Sequence, residues 1–449
     1  MSWKKETLAI HAGQAPDPAS RSSAVPIYQT TSFVFRSTEE AKQLFELQPQ
    51  VWAPRLDLDG QGFGQGDPAS ADAGNIYTRI TNPTTDVLER RLAALEGGVG
   101  SLALSSGAAA VSLAIMNLCG AGDHLVAARS LYGGTYNLFL HTLPRYGIET
   151  SFADAHKTES FSEQITDRTK CLFVETIGNP RLDTPDLAGL AELAHAHAIP
   201  LVVDNTVATP HLCRPCTYGA DIVVHSLTKF LGGHGTSIGG AIVDSGQFDW
   251  AASGKFPSLS EPDSASHGLV WSEALGPGAY IMRARNSLLR DLGACISPFN
   301  SFLIVQGMQT LSLRMQKHCE NAMAVAEFLT DHPRVGWVLY PGLSDHPTHG
   351  RAEQYLDHGF GALVGFGISG GKESGRRFIE QLNLFSHLAN IGDVRSLAIH
   401  PASTTHSQLS PPDLEKSGIS EDFIRLSIGL EHIDDILADL DQALGRSEP

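Results

Sequence analysis

Between residues 85 and 245, short continuous apolar runs alternate with segments whose apolar residues recur at helical spacing. GSLALS (100–105) ends in Ser-Gly and leads into AAAVSLAIMNL, which reads as a strand, a glycine turn and a helix. HLVAAR (124–129), IETSFA (148–153), CLFVET (171–176), PLVVDNT (200–206) and DIVVHS (221–226) follow. Helix-like stretches such as DLAGLAELAHAHA (186–198) separate them, and GGAIVDS (239–245) reads as one further strand. Apolar strands alternating with helices predict βαβ units, and so an α/β fold around a mostly parallel central sheet buried on both faces.

The pattern changes after about residue 275. AYIMRARNSLLRDLG (279–293) and SFLIVQGMQTLSLRMQKHCENAMAVAEFL (301–329) read as helices, the second long. Shorter strands follow at RVGWVLYP, GALVGFGIS, SLAIHP and FIRLSIG, then a helix near IDDILADLDQAL. The expected division is an N-terminal arm (1–60), a large domain (61–275) and a smaller C-terminal α+β domain (276–449). The arm lacks any strand-helix rhythm and reads as packing against something else, such as a neighbouring subunit. The stretch 48–74, rich in Gly, Pro, Asp and Ala with no period, reads as a surface loop or as a lid over a site.

Composition narrows the function classes. With 42% hydrophobic and 18% charged residues in 449, the chain reads as a globular enzyme of two or three domains. Its formal charge of −17 argues against nucleic acid, because phosphate binding needs clustered Lys and Arg, and it does not favour an anionic membrane surface. The start MSWKKETLAIHAGQ has no apolar run of signal-peptide length. No stretch approaches the roughly 20 apolar residues that span a bilayer, so a cytoplasmic address is expected. Six scattered cysteines fit that address. Cys213 and Cys216 form a CxxC, which without a second pair reads as structural, and no metal is expected.

The strongest chemical signal is HSLTKFLGGHG (225–235), directly after an apolar run. It sets Lys229 past the carboxyl end of a buried strand, where open α/β sheets bind ligands. Desolvation there strips a lysine of its proton and lets it form a Schiff base with an aldehyde cofactor. The hydroxyls of Ser226 and Thr228 lie close enough to donate to a phosphate. Read alone, the stretch is also a solvent-exposed lysine loop. Asp204 closes PLVVDNT and alone reads as a cap or turn-former. Paired with Lys229 it reads as the carboxylate that keeps the ring nitrogen of pyridoxal phosphate (PLP) protonated. SSGAAAVSLAIMNL (105–118) opens a helix with small residues, so Gly107 and Ala108 offer backbone amides to an anion. It is neither a GxGxxG nor a Walker loop, which leaves nucleotide binding without a fingerprint.

HSLTKFLGGHG, VVDNT, ETIGNP, LYGGTYNLF, NIYTRITNPT, SSGAAA and RSLAIHPASTTH together resemble the Cys/Met-metabolism PLP enzymes of the aspartate-aminotransferase (type I PLP) fold. The resemblance runs from AVPIYQTTSFVF (24–35) to IRLSIGLEHIDDILADLDQAL (424–444), and the stretch 254–318 is similar to the longer mid-region of the O-acetylhomoserine sulfhydrylases. It implies that Lys229 holds the cofactor and shuttles protons, that Asp204 pairs with the ring nitrogen, and that Tyr132 stacks on the ring and helps as an acid or base. Asn179 would hydrogen-bond near the ring oxygen. Gly107, Ala108, Ser226 and Thr228 would hold the phosphate. Tyr77 and Arg79 would reach the phosphate of a neighbouring subunit, in a homo-oligomer expected to be a tetramer of two catalytic dimers. Ser396 and Arg425 would bind the substrate carboxylate, with Asn179 and Tyr77 beside them; a bidentate guanidinium is the natural partner for a planar carboxylate. Two features depart from the family: the loop 48–74 is longer than its norm, and Ala108 stands where relatives often carry Met or Gln.

The implied activity is a γ-replacement in methionine biosynthesis. O-acetyl-L-homoserine loses acetate from its γ-carbon and takes up sulfide, giving L-homocysteine. Three alternatives stand beside it. One is γ-replacement with a bulkier sulfur or carbon nucleophile. Another is a methionine γ-lyase-type elimination, for which Cys171 is the one cysteine inside the motifs. The third is a non-catalytic α/β binding module in which Lys229 binds no aldehyde.

Overall fold

A continuous Val/Ile/Leu run has no polar face to leave in water, so it is satisfied in a strand covered on both sides. The computed structural model describes residues 3–17, 19–46, 55–57, 74–404 and 420–448. In it the seven runs become β1 (Gly100–Leu104), β2 (His124–Ala128), β3 (Glu149–Ala153), β4 (Thr169–Glu175), β5 (Leu201–Asp204), β6 (Ile222–His225) and β7 (Gly240–Asp244). They form one sheet in the order β1-β7-β6-β5-β4-β2-β3. β6, β5, β4, β2 and β3 run parallel, while β7 is antiparallel to both of its neighbours.

Helix α1 (Lys5–His11) precedes the sheet, and α2 (Pro83–Glu96), α3 (Gly107–Leu118) and α4 (Leu187–Ala196) pack on it. Asn82 caps α2 by accepting from Thr84 N, Pro83 fills its first turn, and Gly97 ends it at φ 77°, a left-handed conformation that favours glycine. The last residue of α2 does structural work beneath the sheet. Glu96 Oε1 accepts from Asn205 Nδ2 (2.8 Å) and lies 2.6 Å from His225 Nε2, while Asn205 Oδ1 accepts from Thr176 (2.8 Å). One buried carboxylate thereby ties together the ends of β4, β5 and β6.

The run 301–329, expected as a single long helix, is two: α5 (Pro298–Gln309) and α6 (Leu311–Asp331). The loop that follows Lys229 lies against the break. A Cβ on Gly307 would sit 2.1 Å from Gly232 O, so backbone meets backbone there. The buried guanidinium of Arg314 binds Phe230 O (2.7 Å) and Leu231 O (3.2 Å) in that loop, and Gly307 O (2.7 Å) near the end of α5.

A second sheet, in the order β10-β11-β12-β9-β8, is built from β8 (Val335–Leu339), β9 (Leu363–Ile368), β10 (Ser386–His387), β11 (Leu397–Ile399) and β12 (Phe423–Ser427). It packs with α7 (Gly371–Gln381) and α8 (Ile433–Gly445) around a separate core. Tyr280, Ile281, Met282 and the first half of α6 (Leu311, Met315, Cys319) bury their side chains in the large core, whereas Ala322, Val325, Ala326 and Leu329 bury theirs in the small one. The division expected after residue 275 precedes this change of core. The apolar side chains pass from the first core to the second within α6, between Cys319 and Ala322.

The expected arm is anchored on its own chain at one end, where Arg91 donates to Ala12 O (3.2 Å) and Gln14 Oε1 (3.0 Å). Residues 27–36 are irregular and largely exposed. Most of the stretch 48–74 lies outside the described residues. Within its described part, buried Arg55 donates to Gly74 O (2.8 Å) and Asn75 Oδ1 (3.3 Å). Among the described residues no helix is long and apolar enough to cross a membrane.

Replacing Arg314 by Met keeps an apolar stem but leaves three inward carbonyls without their charged donor. Urea unfolding should show a loss of about 3 kcal/mol, against less than about 0.5 kcal/mol for an exposed control such as Lys372→Met.

Candidate active site

Parallel strands in register send alternate side chains to the same face. The pairing Glu175↔Asp204 therefore sets two carboxylates side by side at the ends of β4 and β5. Lys229 follows four residues after β6, on the loop that Arg314 holds. Its Nζ hydrogen-bonds Asn390 Oδ1. Burial, and after it the nearby charge of Arg425, push the amine from its usual 10.5 down to about 8. Arg425 comes from β12 in the small domain and donates to Asn179 Oδ1 (3.3 Å) and Asn390 O (3.5 Å). Burial lowers the guanidinium to about 10, which leaves it charged at neutral pH. Lys229, Asn179, Asn390 and Arg425 thus form one connected cluster between the two sheets.

Asp204 accepts from Thr206 N (2.9 Å), and among the described residues Thr206 is its only donor. Burial pushes its pKa up. Glu175, more deeply buried, is also pushed well up, first by burial and then by the charge of Asp204. It accepts from Tyr132 N (2.7 Å) and Asn179 N (3.2 Å). Two acids this close, with so few donors, leave room for a cation beside Asp204. A protonated pyridine nitrogen meets that need.

The start of α3 offers the matching place for an anion. Ser106 caps Ala109 N (3.1 Å), and the N–H groups of Gly107 and Ala108 make no hydrogen bond among the described residues. A Cβ on Gly107 would lie 2.6 Å from Ser226 Cβ and 2.9 Å from its Oγ, so glycine is what lets the helix start meet the Ser226 hydroxyl. Thr228 is less free: its hydroxyl is 3.1 Å from both Gly239 O and Gly239 N. Tyr132 is 56% exposed, and its ring lies over Gly134, where a Cβ would come within 2.5 Å of Cε1. The Gly-Gly pair thus makes space for an open aromatic face. An acid pair wanting a cation, free helix amides beside a serine and a desolvated amine suit the protonated ring, the phosphate and the aldehyde of PLP.

Three expected residues stand apart from this cluster. Tyr77 is 40% exposed, bridges Ser32, and carries the Arg79 guanidinium over its ring (5.3 Å). Neither residue contacts Lys229, Asp204 or Ser226 among the described residues. Ser396, expected beside Arg425, is fully buried; its hydroxyl donates to Glu431 Oε2 (2.9 Å) and accepts from Gly429 N (2.9 Å). It has no proton left to donate to a substrate, and Asn390 occupies the place beside Arg425 instead. Cys213 and Cys216 are buried with both thiols pushed well up by burial, and no metal-binding group of His, Cys, Asp and Glu occurs among the described residues.

Sequence reasoning missed Glu175, Asn390 and Arg314. Glu175 carries the signal used for Asp204, an acid closing an apolar run. Asn390 and Arg314 have no local signal, because their partners are distant in sequence.

The site and the two-domain architecture define a PLP enzyme of the type I, aspartate-aminotransferase-like fold. The chain belongs to the Cys/Met metabolism PLP-dependent enzyme family, whose pattern it matches over residues 6–445. It is 52% identical to an O-acetyl-L-homoserine sulfhydrylase of Leptospira meyeri over 99% of this chain and 97% of the relative. It is 47% identical to the sulfhydrylase FUB7 of Fusarium oxysporum f. sp. lycopersici over 98% and 97%. A crystal structure of a candidate O-acetylhomoserine (thiol)-lyase from Campylobacter jejuni, which carries a pyridoxyl-lysine monophosphate, superposes with a TM-score of 0.89. That chain is 39% identical, with 99% of this chain and 100% of it covered.

The lowered amine predicts how the apoprotein takes up PLP. The capture rate, followed by visible absorbance in a stopped-flow instrument, should rise with pH around a midpoint near 8, since the free amine is the nucleophile. A midpoint near the ordinary lysine value would show that the amine is not desolvated.

Proposed function

We propose that the protein converts O-acetyl-L-homoserine and sulfide to L-homocysteine and acetate by PLP-dependent γ-replacement. The observation that carries this reading is the placement of Arg425 and Asn390 against Lys229, which gives an amino acid one place for its carboxylate and one base near its α-carbon. The names of the relatives support the choice of substrate.

PLP bound at this site supplies the electron sink that makes protons on the substrate's carbons removable. Asp204 holds a proton at the ring nitrogen, and Tyr132 covers the ring face. Gly107 and Ala108 N–H with Ser226 Oγ bind the phosphate, and Thr228 braces the loop between them through Gly239. Arg425 binds the substrate carboxylate, while Asn390 sets its distance from Lys229. Lys229 Nζ moves the α-proton and then a β-proton one at a time, giving up the first before it takes the second, and the same transfers run in reverse after acetate has left the γ-carbon and sulfide has added; an amine near 8 is suited to both directions. Exposed Tyr77 and half-buried Arg79 reach the phosphate of a neighbouring copy, which makes the working unit a dimer, doubled to a tetramer. Cys171 lies at the other end of β4, four residues before Glu175 and so roughly 13 Å along the strand, which disfavours a lyase built on that thiol.

The test is product analysis with added PLP, O-acetyl-L-homoserine and sulfide, beside a reaction without sulfide. Homocysteine formed only with sulfide is the expected result. α-Ketobutyrate in both tubes would make the protein a γ-lyase, and substrate loss with neither product would assign another nucleophile. The two candidates for the carboxylate pocket separate cleanly: Asn390→Ala should raise KM for the amino acid about tenfold. Ser396→Ala should lower stability and leave KM unchanged.

A further inference from the structure

We propose that Glu175 is the positioning residue that holds Tyr132 and Asn179 as one rigid unit around the cofactor ring. The inference rests on the cofactor reading above and adds a residue to which that reading gives no role.

The geometry is specific. β2 and β4 are neighbours in the sheet, and the segments that leave their carboxyl ends carry Tyr132 and Asn179. These segments already touch: a Cβ on Gly178 would lie 2.7 Å from Ser130 Oγ and 2.9 Å from Ser130 O. Glu175 stands between them with both oxygens in use, Oε1 accepting from Tyr132 N (2.7 Å) and Oε2 from Asn179 N (3.2 Å). Asn179 then accepts from Arg425 (3.3 Å), so the clasp extends from the ring face to the carboxylate pocket.

A carboxylate is costly at this position. It is buried and stands in register with Asp204, and each of these features opposes its charge. A neutral side chain would avoid that cost. Glutamine, however, presents one oxygen and one NH2, so one of the two N–H groups would face another donor. Retaining two acceptor oxygens requires an acid here, and the two amides they hold belong to the residues expected on the ring face and at the ring oxygen. Asp204 and Glu175 therefore divide the work: one contacts the ring, and the other fixes what surrounds it.

The experiment is a double-mutant cycle in the PLP-loaded enzyme with Glu175→Gln and Tyr132→Ala. Glu175→Gln should raise the apparent Kd for PLP about tenfold, the effect of one lost charged hydrogen bond, and should reduce the visible circular dichroism of bound PLP. In the Tyr132→Ala background the same change should add less than about twofold. An undiminished tenfold effect in that background, or wild-type Kd and dichroism in Glu175→Gln, would overturn the proposal. Amide hydrogen exchange of the unmutated protein decides the matter if the variant does not fold. Slow exchange at both Tyr132 and Asn179 is expected, with or without PLP, and fast exchange at either refutes the clasp. Failure of the wild type to bind PLP on Lys229 would defeat the functional reading separately, and the exchange result would still judge Glu175.

Discussion

Lys229 has to be both desolvated and reachable, and most of the structure around it follows from that demand. Its amine is brought to about 8 by burial and by a guanidinium from the other domain. An amine lowered in this way keeps that value only while the backbone that carries it cannot move toward water. The loop after it is held on one side by Arg314 through Phe230 O and Leu231 O. On the other side, Gly392 approaches so closely that a Cβ would lie 2.6 Å from Phe230 N, and Val394 N donates to Gly233 O (2.9 Å). The small domain is therefore part of the site, since it supplies Asn390, Gly392 and Arg425.

The central sheet separates chemistry from support by its two faces. Residues that alternate along a strand point to opposite sides, so Glu175 and Asp204 leave on one side. Asn205 and His225 meet Glu96 on the other, and Thr176 joins them through Asn205. The supporting side locks the three strand ends together with one carboxylate, and the chemical side is left with acids whose charge only a bound cation fully satisfies. This arrangement favours a cationic group at the strand ends, which suits a PLP enzyme.

Charge also explains which polar groups lie outside the chemistry. The Cys213 and Cys216 thiols are pushed up by burial and lack the exposed, electropositive setting of reactive thiols. Ser396 serves the packing of its loop on Glu431.

The sequence by itself determined the strands and the two principal groups at their ends. An apolar run closing in Asp204, and another followed by Lys229, are local patterns, and a continuous apolar strand can sit in few places other than a covered parallel sheet. The glycine at 107 was legible for the same reason, since a tight strand-to-helix turn is a short-range feature. What the sequence left open was everything that depends on separation along the chain. The break between α5 and α6 comes from a loop about 75 residues earlier pressing on Gly307. The place of Asn390 beside Lys229 joins positions 161 apart, and Arg425 meets Asn179 across 246. Which core each half of α6 faces was hidden for a similar reason, because helices with the same pattern can face either core. Local propensity fixes elements and strand ends; only the packed chain decides which distant polar groups share one cleft, because that choice is set by the burial and hydrogen bonding of all of them together.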